Sequence, residues 1–269
     1  MEEENCSAGT AFQPAAGPAA VDQVRRFLLA QGWAGLQLGD YLRRVAAERV
    51  RPEEVLWWVP GRAGEARAAA ILHEDRLGLL APFPDEQKAA RVLLDRNRAQ
   101  LERISAFEGQ VDTSGLDEFD FYRRDLAVAE ELLAPAGDLP ATRPSRAEDV
   151  EQLHLIYGAV GWMREASPTV WRQRLQQEPC WVAELEGQVV AAARWTMSFG
   201  SWVEIGGVAT HTRFRRRGAG SAVTLAATEA ALAEGRHAVL RFGDPALASL
   251  YHPLGFQPVG RERVFHRRS

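Results

Sequence analysis

Three arginines run directly into a glycine turn at Arg215-Arg216-Arg217-Gly218-Ala219-Gly220-Ser221. The run follows a strand-like segment, Trp202–Thr210, and opens a helix-forming stretch, Ser221–Glu234. Glycines let a backbone come close to a ligand, and the first turn of a helix presents unpaired N–H groups at its positive dipole end. Together with the guanidiniums this makes a pyrophosphate site, with a plain strand–helix turn as the alternative. Two other phosphate motifs do not fit. A Walker loop needs Lys-Ser/Thr after its last glycine, where Ser221-Ala222 stands. A dinucleotide fingerprint needs a small residue three positions after Gly220, where Val223 stands, and an early acidic residue on the next strand.

In this context Arg215-x-x-Gly218-x-Gly220 resembles the acyl-CoA signature of the GNAT superfamily of N-acetyltransferases, Gln/Arg-x-x-Gly-x-Gly/Ala. Further on, Leu250-Tyr251-His252-Pro253-Leu254-Gly255-Phe256 is similar to the family's Leu-Tyr-x-x-x-Gly-Phe. The resemblance covers the C-terminal half, and it implies roles residue by residue. The strand Val208-Ala209-Thr210 would lie along the pantetheine arm of coenzyme A, and the Val208 amide would polarise the thioester carbonyl. The amides of Arg215, Arg216, Arg217, Gly218, Ala219, Gly220 and Ser221 would hold the pyrophosphate, with some of the guanidiniums reaching phosphate oxygens. Tyr251 matches the tyrosine that donates a proton to the leaving thiolate. Glu204 matches the position where the histone-acetylating branch carries its general base, often acting through water; His211 and His252 are alternative bases.

The implied activity is transfer of an acetyl group from acetyl-CoA to a primary amine, by direct attack in a ternary complex and without a metal. A different acyl group, a protein amine, or a catalytically silent acyl-CoA-binding or sensing module are the alternatives. Two positions depart from the family pattern. Thr212 stands where proline often follows Thr-His, and Asp244 stands where many members bind the cofactor through asparagine, so its carboxylate accepts but does not donate.

The surrounding elements read as an α/β fold with a mixed sheet. Arg146–Gly158 and Pro168–Gln177 read as helices, with Ser145 as a cap for the first. Cys180–Glu184, Val189–Ser198, Trp202–Thr210, His237–Phe242 and Gln257–His266 read as strands, and Ala246–His252 as a short helix. Acceptor pockets in the family are built by the first helices, with whatever the first half contributes; Trp162, Glu165 and Trp171 stand there and could line an amine pocket, with helix-core packing the ordinary role of such tryptophans. Upstream, Ala19–Ala30 and Asp40–Arg49 read as helices, and Glu54–Val59, Ala66–His73 and Leu77–Leu80 as strands. A helix capped by Asp85 is expected from Pro84 to Ile104, and another over Leu116–Leu133. The cluster Ala134-Pro135-Ala136-Gly137 reads as a linker. The expected organisation is a disordered leader over 1–18, an α/β domain over 19–138 and an N-acetyltransferase domain over 139–269.

The first half echoes the same strand and helix order, which suggests a degenerate GNAT-like domain. Where the signature should fall it reads Ala81-Pro-Phe-Pro-Asp-Glu-Gln-Lys88, with no glycine, two prolines that lack donors and acids that repel pyrophosphate. Its role would be to complete a substrate cleft or to mediate pairing, as a monomer or homodimer.

Composition narrows the classes. Of 269 residues, 46% are apolar and 25% charged, as in a globular protein. The net charge of −4 divides unevenly: residues 1–138 hold 16 Lys+Arg against 24 Asp+Glu, and residues 139–269 hold 16 against 12. A mild positive balance suits a polyanionic cofactor but falls far below that of a nucleic-acid binder, and no apolar run is long enough for a membrane span. The acidic, Ala/Gly/Pro-rich start lacks a secretory pattern, so the expected location is the cytoplasm, with a small-molecule or peptide amine as the acceptor. Cys6 and Cys180 offer no metal spacing and no expected disulfide.

Overall fold

The computed structural model describes residues 11–47, 50–133, 137–161, 169–170, 172–173 and 178–268. In chain order the strands are β1 Gln13–Pro14, β2 Leu56–Pro60, β3 Ala66–His73, β4 Arg76–Leu80, β5 Arg103–Phe107 and β6 Phe119–Ala129. They continue with β7 Thr142–Pro144, β8 Cys180–Leu185, β9 Gln188–Phe199, β10 Trp202–Thr210, β11 His237–Phe242 and β12 Gln257–Arg267. The helices used below are α1 Pro18–Ala30, α2 Trp33–Ala47, α3 Pro52–Val55, α4 Pro84–Asn97, α5 Val150–Ala159 and α6 Ala219–Ala233. The fold is α/β with mixed strand directions: β4–β5 and β10–β11 are parallel, whereas β2–β3, β3–β4, β8–β9 and β9–β10 are antiparallel.

Two compact units emerge from the contacts. The first takes in Met1–Asp125 and Gly260–Ser269, the second Leu126–Val259. The boundary expected at 138/139 follows the Pro/Gly cluster, of which residues 134–136 lie outside the described set; the units part instead within β6 and within β12. Strand order in the first unit is β1–β2–β3–β4–β5–β12–β6, so Gly260–Arg267 pairs between β5 and β6. In the second unit it is β6–β11–β10–β9–β8–β7.

In the first unit α1 buries Val21, Val24, Phe27 and Leu28, the face that its apolar spacing predicts. α2 begins at Trp33, well before the expected Asp40. It closes tightly on α1 at Gly35, where a Cβ would lie 1.9 Å from the Leu28 carbonyl oxygen. Leu77, Leu79, Ile104, Ala106 and Phe265 form a core with Leu93 and Leu94 of α4.

Several elements differ from expectation for identifiable reasons. The stretch Leu116–Leu133 is not a helix; most of it is strand β6. Its alanines and leucines favour helix in isolation, but Leu126–Ala129 is buried throughout, and a central strand buried on both faces carries a continuous apolar run. α4 ends at Asn97, and Ile104 lies in β5. The N-cap of α4 is Phe83 with Pro84 next, which leaves Asp85 in the first turn. Glu54 and Val55 close the single turn α3 ahead of β2. Ahead of α5 the chain makes a short turn, Ala147–Asp149, whose N-cap is Arg146 rather than Ser145; the Asp149 carboxylate accepts the Arg146 N–H at 2.6 Å. Cys6, Trp162, Glu165, Trp171 and most of the helix expected over Pro168–Gln177 lie outside the described residues.

The second unit is sandwiched between helices. Ala222, Val223, Ala227 and Ala231 of α6 meet Val203, Ile205 and Leu240 on one face of the sheet. On the other face, Leu153, Ile156 and Tyr157 of α5 meet Val182, Ala192 and Ala209. Small side chains on α6 let it lie close to the strands.

Candidate active site

β10 and β11 run parallel but pair only at Trp202↔His237, Val203↔Ala238 and Glu204↔Val239. Beyond Glu204 the two strands part, and among the described residues the β11-facing backbone of the rest of β10 has no strand partner on that side. Its other edge stays paired with β9 through Thr210. The His211 N–H continues that pairing, donating to the Val190 carbonyl at 2.8 Å. Backbone groups alternate sides along a strand, so Thr210 and Val208 turn theirs to the open side. An unpaired strand edge buried inside a fold is a template for an amide-bearing ligand.

Between Gly206 and Ala209, β10 carries one more residue than β9, a β-bulge, with Gly207 at φ 58°. The Tyr157 hydroxyl donates to the Gly207 carbonyl at 2.6 Å. Arg194 is buried beside it, its guanidinium 5.5 Å from the Tyr157 ring centroid and 2.5 Å from the Glu178 carboxylate. These three residues escaped the motif reading. The available signal was a lone arginine inside the apolar run Val189–Trp195, because a buried guanidinium demands partners.

After β10 the chain makes a short turn, Thr212–Phe214, where the His211 Nδ1 accepts the Arg213 N–H at 3.3 Å. Arg216 stands at φ 61° and Gly218 at φ 78°, and Gly218 caps α6 without a side-chain acceptor. The amides of Ala219, Gly220 and Ser221 therefore open the helix without a capping side chain. A Cβ on Gly218 would lie 3.0 Å from Leu139 Cδ2, and one on Gly220 would lie 3.4 Å from Thr210 Oγ1. The start of α6 thus lies against the end of the open strand. Arg217 is turned away, paired with Glu186 at 2.8 Å and lying over the Phe214 ring. Arg213, Arg215 and Arg216 are exposed and have no carboxylate partner among the described residues.

The remaining site residues divide. Leu250 also approaches Gly220, which brings the Leu-Tyr turn beside the start of α6. Tyr251 is buried at 5% exposure, with ring centroids of Phe242 and Phe256 at 5.3 and 6.2 Å. Burial pushes its phenol up to about 12. Glu204 is buried, accepting from the Thr196 hydroxyl at 3.0 Å and facing Arg241 at 3.3 Å. Asp244 caps the turn Pro245–Leu247, its carboxylate accepting the Ala246 N–H at 2.9 Å. Cys180 is buried, and desolvation pushes its thiol up to about 11, away from nucleophilic use.

Neither feature is present among the described residues of β4, β5 and α4 in the first unit. β4 pairs with β5 at Arg76, Leu77, Gly78 and Leu79, almost its full length, so no comparable edge opens. The helix that follows starts with Pro84, Asp85 and Glu86, and Glu86 is buried against Arg67 at 2.7 Å. An acidic, proline-led first turn repels a phosphate.

Residues 147–256 match the family model of the acetyltransferase (GNAT) family. This stretch is a GNAT domain. No curated protein matches the sequence significantly. Among solved structures, a GNAT-family acetyltransferase from Colwellia psychrerythraea aligns over 96% of this chain and 99% of its own, with TM-score 0.62 at 11% identity. A GCN5-related N-acetyltransferase from Sphaerobacter thermophilus aligns over 95% of each chain, with TM-score 0.58 at 18% identity. A tandem GNAT protein from the clavulanic acid biosynthesis pathway covers 95% of this chain and 96% of its own, with TM-score 0.54 at 14% identity. At these identities the likeness is one of fold. The parted strands and the glycine-led helix both lie within the matched stretch.

Proposed function

We propose that the second unit transfers an acetyl group from acetyl-CoA to the amine of a small molecule or peptide. The observation that carries this reading is the unpaired β10 edge after Glu204, running straight into the uncapped start of α6. An edge of free amides suits the amide-rich pantetheine arm, and the helix start suits the pyrophosphate. Arg213, Arg215 and Arg216 would supply charge at the rim, whereas Asp244, committed to its own turn, would not contact the cofactor.

In the reaction the acceptor ammonium gives up a proton, and its lone pair attacks the thioester carbonyl carbon. The Val208 N–H stabilises the developing oxyanion. The carbon–sulfur bond then breaks; the Tyr251 phenol, neutral because burial holds its proton, protonates the thiolate, and the second proton leaving the acylated nitrogen restores the phenol. Attack is direct, since the buried Cys180 is no nucleophile. Glu204 takes the base role only by way of water, because its oxygens already face Thr196 and Arg241.

That engagement, with the burial of Tyr251, favours one second reading: a module that binds acyl-CoA without turning it over. Thermal melting with acetyl-CoA, combined with thiol release across an amine panel, separates the two. Stabilisation with release supports the transferase, and stabilisation without release from any amine supports the silent module. No stabilisation sinks both, because a ligand of the native state must raise Tm by mass action.

A further inference from the structure

We infer that Tyr157 is a positioning residue for the acyl donor: its hydroxyl fixes the β10 bulge that turns the Val208 amide toward the open strand edge. The inference rests on the function proposed above.

The bulge shifts the phase of the strand. Val203, Ile205 and Val208 all pack on the α6 side of the sheet, whereas Ala209 packs on the α5 side. Strict alternation from Ile205 would put Val208 on the α5 side instead. In a strand, the face a side chain takes and the direction of its own N–H are coupled, so a one-residue slip reverses both. Without the extra residue the Val208 N–H would point at β9 and be consumed in sheet pairing.

Holding that slip in place falls to side chains from outside the strand. Tyr157, on α5, is 1% exposed and reaches the carbonyl of Gly207 within the bulge. The left-handed backbone at Gly207 is backed by Arg194, which would come within 3.0 Å of a Cβ there. Glu178 in turn holds Arg194 against the Tyr157 ring. The Gly207 carbonyl and the Val208 N–H share one peptide plane and point in opposite directions, so a buried phenol that donates to the carbonyl also holds the Val208 N–H in one orientation. Burial keeps the phenol protonated and so a donor across the working pH range. Tyr157 need not touch the donor to act on it.

The prediction concerns the thioester carbonyl alone. Acetyl-CoA has that carbonyl and CoA does not, while both share the pantetheine and the pyrophosphate. Calorimetric titration of each ligand into wild type and Tyr157→Phe isolates the contact. The phenyl ring keeps its place beneath Arg194, and only the hydroxyl is lost. The expected result is that acetyl-CoA weakens about fivefold more than CoA, the loss of one hydrogen bond of ordinary net strength. A tyrosine that only supports the fold would weaken both ligands alike. Leu153→Ala, a core change on the same helix, gives that pattern for comparison. Should Tyr157→Phe fail to fold, Glu178→Gln loosens Arg194 over the same ring and is read by the same ratio. An unchanged ratio overturns the inference and leaves the proposed function standing. Failure of wild type to bind either ligand overturns both.

Discussion

Arg241 and Glu204 face each other across the paired part of β10 and β11 at 3.3 Å, with only 3% and 8% of their side chains exposed. The pair lies next to the point where those strands part. Removing one partner strands a buried charge, which costs about 3–5 kcal/mol. Glu204→Ala should therefore lower Tm sharply, measured by calorimetry. Glu204→Gln keeps the Thr196 contact and should lose less. If Glu204→Gln abolishes thiol release while Tm stays near wild type, the residue works as the base; if Tm and activity fall together, it is a strut.

Tyr251→Phe tests the acid. The ring contacts with Phe242 and Phe256 remain, so Tm should change little, while turnover should fall by about 10²–10⁴-fold. Binding of CoA should be unaffected, because a thiol product needs no proton. The phenol is raised to about 12 by burial, so its acid form persists above the ordinary tyrosine value of about 10. A raised pKa stabilises the fold fully below that ordinary value, and the contribution fades as pH rises toward 12. Turnover should accordingly show no Tyr251-dependent decline up to pH ~10.

Gly218→Ala tests the pyrophosphate turn. The residue stands at φ 78°, and the new methyl group would press on Leu139 at 3.0 Å. Strain of about 1–3 kcal/mol is expected, together with loss of acetyl-CoA stabilisation in a thermal-shift assay. Retained binding would show that the α6 start is not the phosphate site.

The Arg124–Glu262 pair tests how the first unit is completed. Glu262 lies on β12 with its side chain 1% exposed, and Arg124 on β6 reaches it at 2.6 Å. Glu262→Ala should destabilise by about 3–5 kcal/mol, and a chain ending at Val259 should lose the first unit altogether. Hydrogen exchange read separately on β3 and on α6 would show which unit opens.

Local signals were legible where chemistry or turns dictated them. The residues of α1, β3, β10 and β11 could be read from periodicity, and the α6 start from Arg215, Gly218 and Gly220. What misled was burial. Leu126-Ala127-Val128-Ala129 has no alternation because both its faces are covered, and its helix-forming residues then decide a reading made without the sheet. The bulge was invisible for another reason: Gly206-Gly207 announces a break, but which residue shifts depends on Tyr157 from a distant helix. Glu204 is legible on its strand, whereas Arg241 comes beside it only through the pairing of β10 with β11. Partners brought together by topology leave no trace in local spacing.

The placement of Gly260–Arg267 between β5 and β6 inverts the usual order of assembly. Chains leave the ribosome from the amino end, and early domains generally fold first. Here the first unit is synthesised early but is finished late, because its inner strand follows the entire second unit. Throughout that interval, on the order of ten seconds at ordinary synthesis rates, β5 and β6 expose bare edges to other nascent chains. The GNAT domain can acquire most of its sheet meanwhile, so it is ready before the unit that precedes it.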